Sequence, residues 1–157
     1  MLSVFGEMIF SSDKAYVLDN VQFLVHEFNG ETNWKNPFAV CITFSNGECV
    51  TVKTASDYES VGLSRGCEAL QEQDIGEYGY ARILDANHLS PWDKIVGSGL
   101  IKLENLISDS WVIGVNLTFE NGTVYLMNLG DDLYVFDQEP SKIIADENIK
   151  RTNIYSI

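Results

Sequence analysis

Residues Ile42–Val52 read ITFSNGECVTV, and seventy-five positions later Leu117–Met127 read LTFENGTVYLM. An Asn-Gly pair between two alternating apolar segments is the strongest short-range hairpin signal, because a type I′ turn needs positive φ at both central residues. Asn46-Gly47 and Asn121-Gly122 therefore commit the chain to antiparallel hairpins. The same offset matches Val21 with Val96, Val40 with Val115, Thr43 with Thr118, Phe44 with Phe119 and Asp57 with Asp132. Within a single domain, 1–157, this reads as a degenerate internal duplication, roughly residues 21–62 and 96–137. Convergence on good hairpin chemistry would also give the shared Thr-Phe-x-Asn-Gly core; the matching Asp after the second strand favours duplication.

The two hairpins predict different loops. In the second, a two-residue turn collects Val115, Leu117, Phe119, Val124 and Leu126 on one face, with Tyr125 and Met127 on the other. In the first, that register would set Thr51 among the apolar residues. A loop one residue longer, with a Gly bulge, instead groups Val40, Ile42, Phe44, Val50 and Val52, and the buried face decides register.

Further strands are expected at Asn20–Phe28, Gly99–Ser108 and Asp131–Asp137, with an edge or strand in SVFGEMIF near the start. A helix of about two turns is expected after Ser90, with Ser90 as N-cap, Pro91 at the first helical position and Gly97 and Gly99 as stops. A second is expected over Ser64–Gln73, and the tail from Ser141 onward reads as a last strand or partly disordered. The fold class is α+β, predominantly β: antiparallel sheets built from two similar hairpin units, with one or two short helices.

Twenty-three acids stand against ten bases, a net charge of -13. Between Leu103 and Ser141 there is no Lys or Arg, and none between Gly66 and Ala81. A surface of this sign repels nucleic acid and anionic lipid, so neither is an expected partner; it attracts a basic protein and speeds that encounter. Solubility alone accounts equally well for the bias. Cys41, Cys49 and Cys67 include no CxxC, and His26 and His88 stand apart, which argues against a zinc site. With apolar runs too short to span a bilayer and no signal-like start, the expectation is a cytoplasmic protein with reduced thiols that needs no cofactor. Cys41 and Cys49 have the spacing to meet across the first hairpin.

No phosphate-binding loop, HExxH or GxSxG occurs, so the chain is not expected to be an enzyme. A small hydrolase using His88 with Asp85 or Asp93 is the alternative, and Asp131, Asp132 and Asp137 are candidate cation ligands, although turn hydrogen bonding explains such acids more simply. Trp34, Trp92 and Trp111 are either interface anchors or partly buried core.

The run WVIGVNLTFENGTVYLMNLGDDLYVFDQEP, Trp111–Pro140, carries a GVxLxFxNG…LxNxGDxLxV pattern. It resembles immunity proteins of bacterial contact-dependent growth inhibition and related polymorphic toxin systems. The resemblance covers about a fifth of the chain, and its motif is structural rather than catalytic. It implies a protein that binds and blocks a cognate toxin C-terminal domain, expected to be a basic nuclease, by covering its active-site surface. On that reading Glu68, Glu72, Asp74, Glu77, Asp131 and Asp132, all in base-free stretches, are the candidate toxin-binding residues. A generic acidic binding module, or one that self-associates through sheet edges, is the competing expectation.

Overall fold

In the computed structural model, which describes residues 10–157 apart from 12, 56, 58, 59 and 69, two antiparallel sheets pack face to face. Sheet 1 contains β1 (Leu18–Phe28), β2 (Glu31–Thr32), β3 (Ala39–Phe44), β4 (Cys49–Thr54), β5 (Val61–Arg65), β6 (Gln73–Asp74) and β7 (Tyr80–Asp85). Sheet 2 contains β8 (Leu100–Ser108), β9 (Trp111–Phe119), β10 (Gly122–Leu129), β11 (Asp132–Phe136) and β12 (Lys150–Ser156). The helices are short: α1 (Trp92–Ile95), α2 (Ser141–Asp146) and a 3-10 turn at Gly76–Tyr78. The expected class, mostly β with little helix, is the one observed.

Sheet 1 runs β5-β4-β3-β1-β7-β6, with β2 paired to the end of β1, and sheet 2 runs β11-β10-β9-β8-β12. Leaving aside the two-residue strands, each sheet is a four-strand meander whose fifth strand returns beside the first. The offset of 75 aligns β3 with β9 and β4 with β10 and then fails. Val21 lies in β1 whereas Val96 directly follows α1, and Asp57 sits in the β4–β5 connection whereas Asp132 opens β11. The connections differ in length between the two meanders, which shifts the outer strands out of step.

The hairpins differ as expected: the first has the longer, glycine-closed loop, while the turn of the second is displaced from Asn121-Gly122. In the first, Ile42 faces Val50 and Val40 faces Val52. The Phe44 amide donates to the Glu48 carbonyl at 2.8 Å, which leaves a three-residue loop closed by Gly47 at φ 88°. In the second, Phe119 faces Gly122, so the loop is Glu120-Asn121 and Gly122 belongs to β10. The expected face survives, because a slip of two residues leaves side chains on the same side. Paired positive φ occurs instead at Asn29-Gly30, Asp109-Ser110 and Gly130-Asp131, two-residue turns at which Phe28 faces Glu31, Ser108 faces Trp111 and Leu129 faces Asp132.

Val21, Phe23, Val25, Val40, Ile42, Phe44, Val50 and Val52 of sheet 1 meet Leu103, Val115, Leu117, Phe119, Val124 and Leu126 of sheet 2 in one buried core. α1 closes it with Trp92 and Ile95, both fully buried. The helix is one turn rather than two, and its N-cap position is Pro91 rather than Ser90, with no side-chain cap bond. On the outer face of sheet 2, Leu106, Tyr125 and Met127 are covered by Ile143, Ile144 and Ile149, so the tail is a helix followed by an edge strand.

The outer face of sheet 1 corrects two expectations. Ser64–Gln73 is not a helix: β5 continues through Arg65, and the chain then crosses the sheet as an extended strap into β6. Leu70 and Cys67 of the strap pack on Leu24, Ala39, Cys41 and Ile83. The thiols are not all reduced, since Cys41 and Cys67 form a disulfide and Cys49 is free. Cys41 and Cys49 sit diagonally, opposite Thr51 and Thr43, and it is the returning strap that brings a sulfur onto Cys41. The expected strand before Phe10 lies outside the described residues. Among the described residues no helix is long and apolar enough to cross a membrane.

The disulfide spans 26 positions. Closing a loop of that size restricts the unfolded chain, and Cys67→Ser is expected to cost about 3 kcal/mol in urea denaturation of the oxidised protein. An unchanged midpoint would mean that the strap is held by packing alone.

Candidate interaction surface

The strap, residues 66–78, carries four of the six acids singled out from the sequence, and Glu68, Glu72, Asp74 and Glu77 are all exposed. Two of their carboxylates are tied to backbone. Glu72 Oε2 accepts from the Ile83 amide at 3.0 Å, fastening the strap to β7. Asp74 Oδ1 accepts from the Gly76 amide at 2.8 Å and shapes the entry to the 3-10 turn. Asp131 and Asp132 belong to the other sheet, at the β10–β11 turn, where Asp131 takes φ 73°. The structure therefore separates the six into a strap group and a turn pair.

At its end the strap meets β1. His26 Nε2 donates to the Tyr78 carbonyl, and the His26 ring lies against Phe28 and Phe38, with centroids 6.3 and 6.0 Å away. Phe28, Phe38 and Tyr78 remain 44%, 46% and 66% exposed, and Tyr80 beside them is also exposed. Glu27, Phe28, Glu77 and Tyr80 line a shallow groove of about 240 Å³ between the Asn29-Gly30 turn and the strap. Arg82 pairs with Glu27 at 2.8 Å and stacks over the Tyr80 ring, which neutralises one acid and leaves Glu77 as the other carboxylate of the groove. Gly79 makes this close approach possible: it has φ 101°, and a Cβ there would fall 2.1 Å from the Glu27 carbonyl oxygen.

Exposed aromatics ringed by acids form a recognisable protein-binding chemistry, in which rings supply buried area and carboxylates steer a basic partner. The aromatics that matter here are phenylalanine and tyrosine rather than the tryptophans expected as anchors. Trp92 is core, Trp34 packs partly buried against Phe23 and His88, and Trp111 is exposed on the other sheet. The available signal was the third Asn-Gly pair, Asn29-Gly30, with Phe28 at its mouth.

The other chemical candidates fold into structural roles. His88 packs edge-on against Trp34, while Asp85 Oδ1 accepts from the Asn87 amide within its own turn. Asp137 accepts from Ser90 Oγ. Among the described residues, the potential metal-ligating atoms that converge are the sulfurs of Cys41, Cys49 and Cys67, within 4.8 Å of one another; Asp131, Asp132 and Asp137 do not. Burial raises the Cys49 thiol above its ordinary value, and the Glu68 charge adds to the effect.

A buried polar network that the sequence gave no hint of lies on the outer face of sheet 2. Glu104 Oε1 accepts from Asn116 Nδ2 at 3.1 Å and from Arg151 at 3.1 Å, and Arg151 also reaches Glu139 at 2.9 Å. Asn116 Oδ1 accepts from Thr123 Oγ1. The network is satisfied internally and locks β12 to the meander. Burial pushes the Glu104 carboxyl up, but the bonds from Asn116 and Arg151 and the charge of Lys102 outweigh it and hold the group below its ordinary value of 4.5. Such a carboxylate contributes stability that is complete above the unfolded value and fades as pH falls through the folded one. Glu104→Gln is expected to lose about 2 kcal/mol at neutral pH, and the difference from wild type should shrink as urea denaturation is repeated below pH 4.5. Comparison of the chain with protein-family models, with curated proteins and with solved structures finds no match.

Proposed function

We propose that this chain is an immunity protein that binds a basic toxin domain, of nuclease type, and covers its active-site surface with the strap face of sheet 1. The observation that carries the reading is that Glu77 shares one groove with exposed Phe28 and Tyr80, at the end of a strap on which Glu68, Glu72 and Asp74 are also exposed. A nuclease must hold a polyanion, so its groove is basic, and an acidic face with aromatic anchors is complementary to it. The net charge of -13 steers the encounter, and the Trp111–Pro140 resemblance supports the toxin as the partner class. Self-association is disfavoured at the outer strand of sheet 2, where Lys150, Arg151, Thr152 and Asn153 are exposed, because charged polar edges resist pairing.

The test co-expresses the C-terminal domain encoded by the neighbouring toxin reading frame with this protein and follows growth. Wild type is expected to relieve arrest. Glu68→Lys with Glu77→Lys spares the carboxylates that bond backbone amides and should slow association about tenfold at low salt, weakening relief. Asp131→Lys with Asp132→Lys should leave relief intact. Relief that survives the strap reversal, or that fails with the turn reversal alone, contradicts the proposed face. A neighbour that does not arrest growth removes the toxin reading.

A further inference from the structure

A second feature lies between the sheets at their open end, away from the strap. A cleft of about 310 Å³ is bounded by Val61 and Leu63 of β5 and Ser60 before it on one side, and by Asn105, Val112 and Val115 of sheet 2 on the other. It is the size of a small-molecule site, and most of its lining is apolar. Lys53, Ser60, Ser64 and Asn105 supply its polar part, and Asn105 is the buried amide among them. It is 5% exposed and sits opposite Val115 on β9 and Thr152 on β12, where a leucine like Leu103 two positions earlier would complete the core. Its Nδ2 is buried and has no hydrogen-bond partner among the described residues.

An orphaned buried amide is destabilising relative to a satisfied one. Ser60 Oγ, which donates to Asp57 Oδ2 at 2.7 Å, makes no bond to it. Val61, Leu63, Val112 and Val115 offer no acceptor side chain. An apolar cleft with a single unsatisfied donor in its wall specifies an occupant: apolar atoms to fill the space and one acceptor for the N–H.

We propose that this inter-sheet cleft is a binding site for a small, uncharged, largely apolar molecule bearing one carbonyl-type acceptor, which Asn105 Nδ2 recognises by donating a hydrogen bond. The site is independent of the strap face and does not depend on the toxin reading.

Acetophenone and isopropylbenzene are of similar size and differ chiefly in the carbonyl, so they test the donor. Each is titrated into the full chain while the methyl resonances of Val61, Val112 and Val115 are followed by NMR. Wild type is expected to bind acetophenone about tenfold more tightly than isopropylbenzene. In Asn105→Leu the preference should vanish or reverse. The wild-type comparison stands by itself if the variant does not fold. Methyls that respond to neither probe would overturn the proposal and leave the amide to water; equal affinity for both probes, or a preference unchanged in Asn105→Leu, would overturn the assigned role of Asn105.

Discussion

Two antiparallel meanders, each with an apolar row on one side, can remove those rows from water only by facing each other. That constraint organises the molecule. Val40, Ile42, Val50 and Val52 are buried because they meet Val115, Leu117, Val124 and Leu126, and α1 seals the layer with Trp92. Alternation then forces the intervening residues outward, and on both sheets the outward set is itself partly apolar: Ala39 and Cys41 on one, Tyr125 and Met127 on the other. Each sheet needs a cover. Sheet 2 takes α2 and the Glu104–Arg151 network, and sheet 1 takes the strap with its Cys41–Cys67 link. The strap is thus a structural necessity that also carries a base-free acidic segment over the sheet.

The faces of both hairpins were legible in the sequence because period-two alternation is decided locally and a slip of two residues leaves it unchanged. The difference in loop length between the hairpins was legible for the same reason, since Thr51 cannot join the buried row unless the loop shortens. Turn positions were less legible. Asn121-Gly122 satisfied the composition rule, but pairing Gly122 with Phe119 gave the closer ladder, while Asp109-Ser110 made a left-handed turn without glycine. The strap was read as a helix because Ser64–Gln73 has good helix formers and a cap-like start. The sheet overrode propensity: an apolar face around Cys41 needed Leu70, and Cys67 closed on it.

The candidate site was half legible. Charge is countable, so the acids of the strap were found, yet sequence has no means of separating Glu77 from Asp131 until topology assigns them to different sheets. Exposed aromatics are harder still, because Phe28 shares the outer row of β1 with Leu24 and His26, and the sequence does not say how much of that row the strap covers. Asn105 could not have been singled out at all. Its distinction is the lack of a partner in three dimensions among the described residues, in a strand whose other inward positions are ordinary core.

The most direct test of the central claim is a hydrogen–deuterium exchange footprint of the protein bound to the neighbour-encoded toxin domain. The account expects protection over residues 70–80 and at Phe28 and Phe38, with β10–β11 and α2 exchanging as in the free protein. Protection confined to the Asp131-Asp132 turn and the Trp111 side of sheet 2, with the strap unprotected, would contradict it.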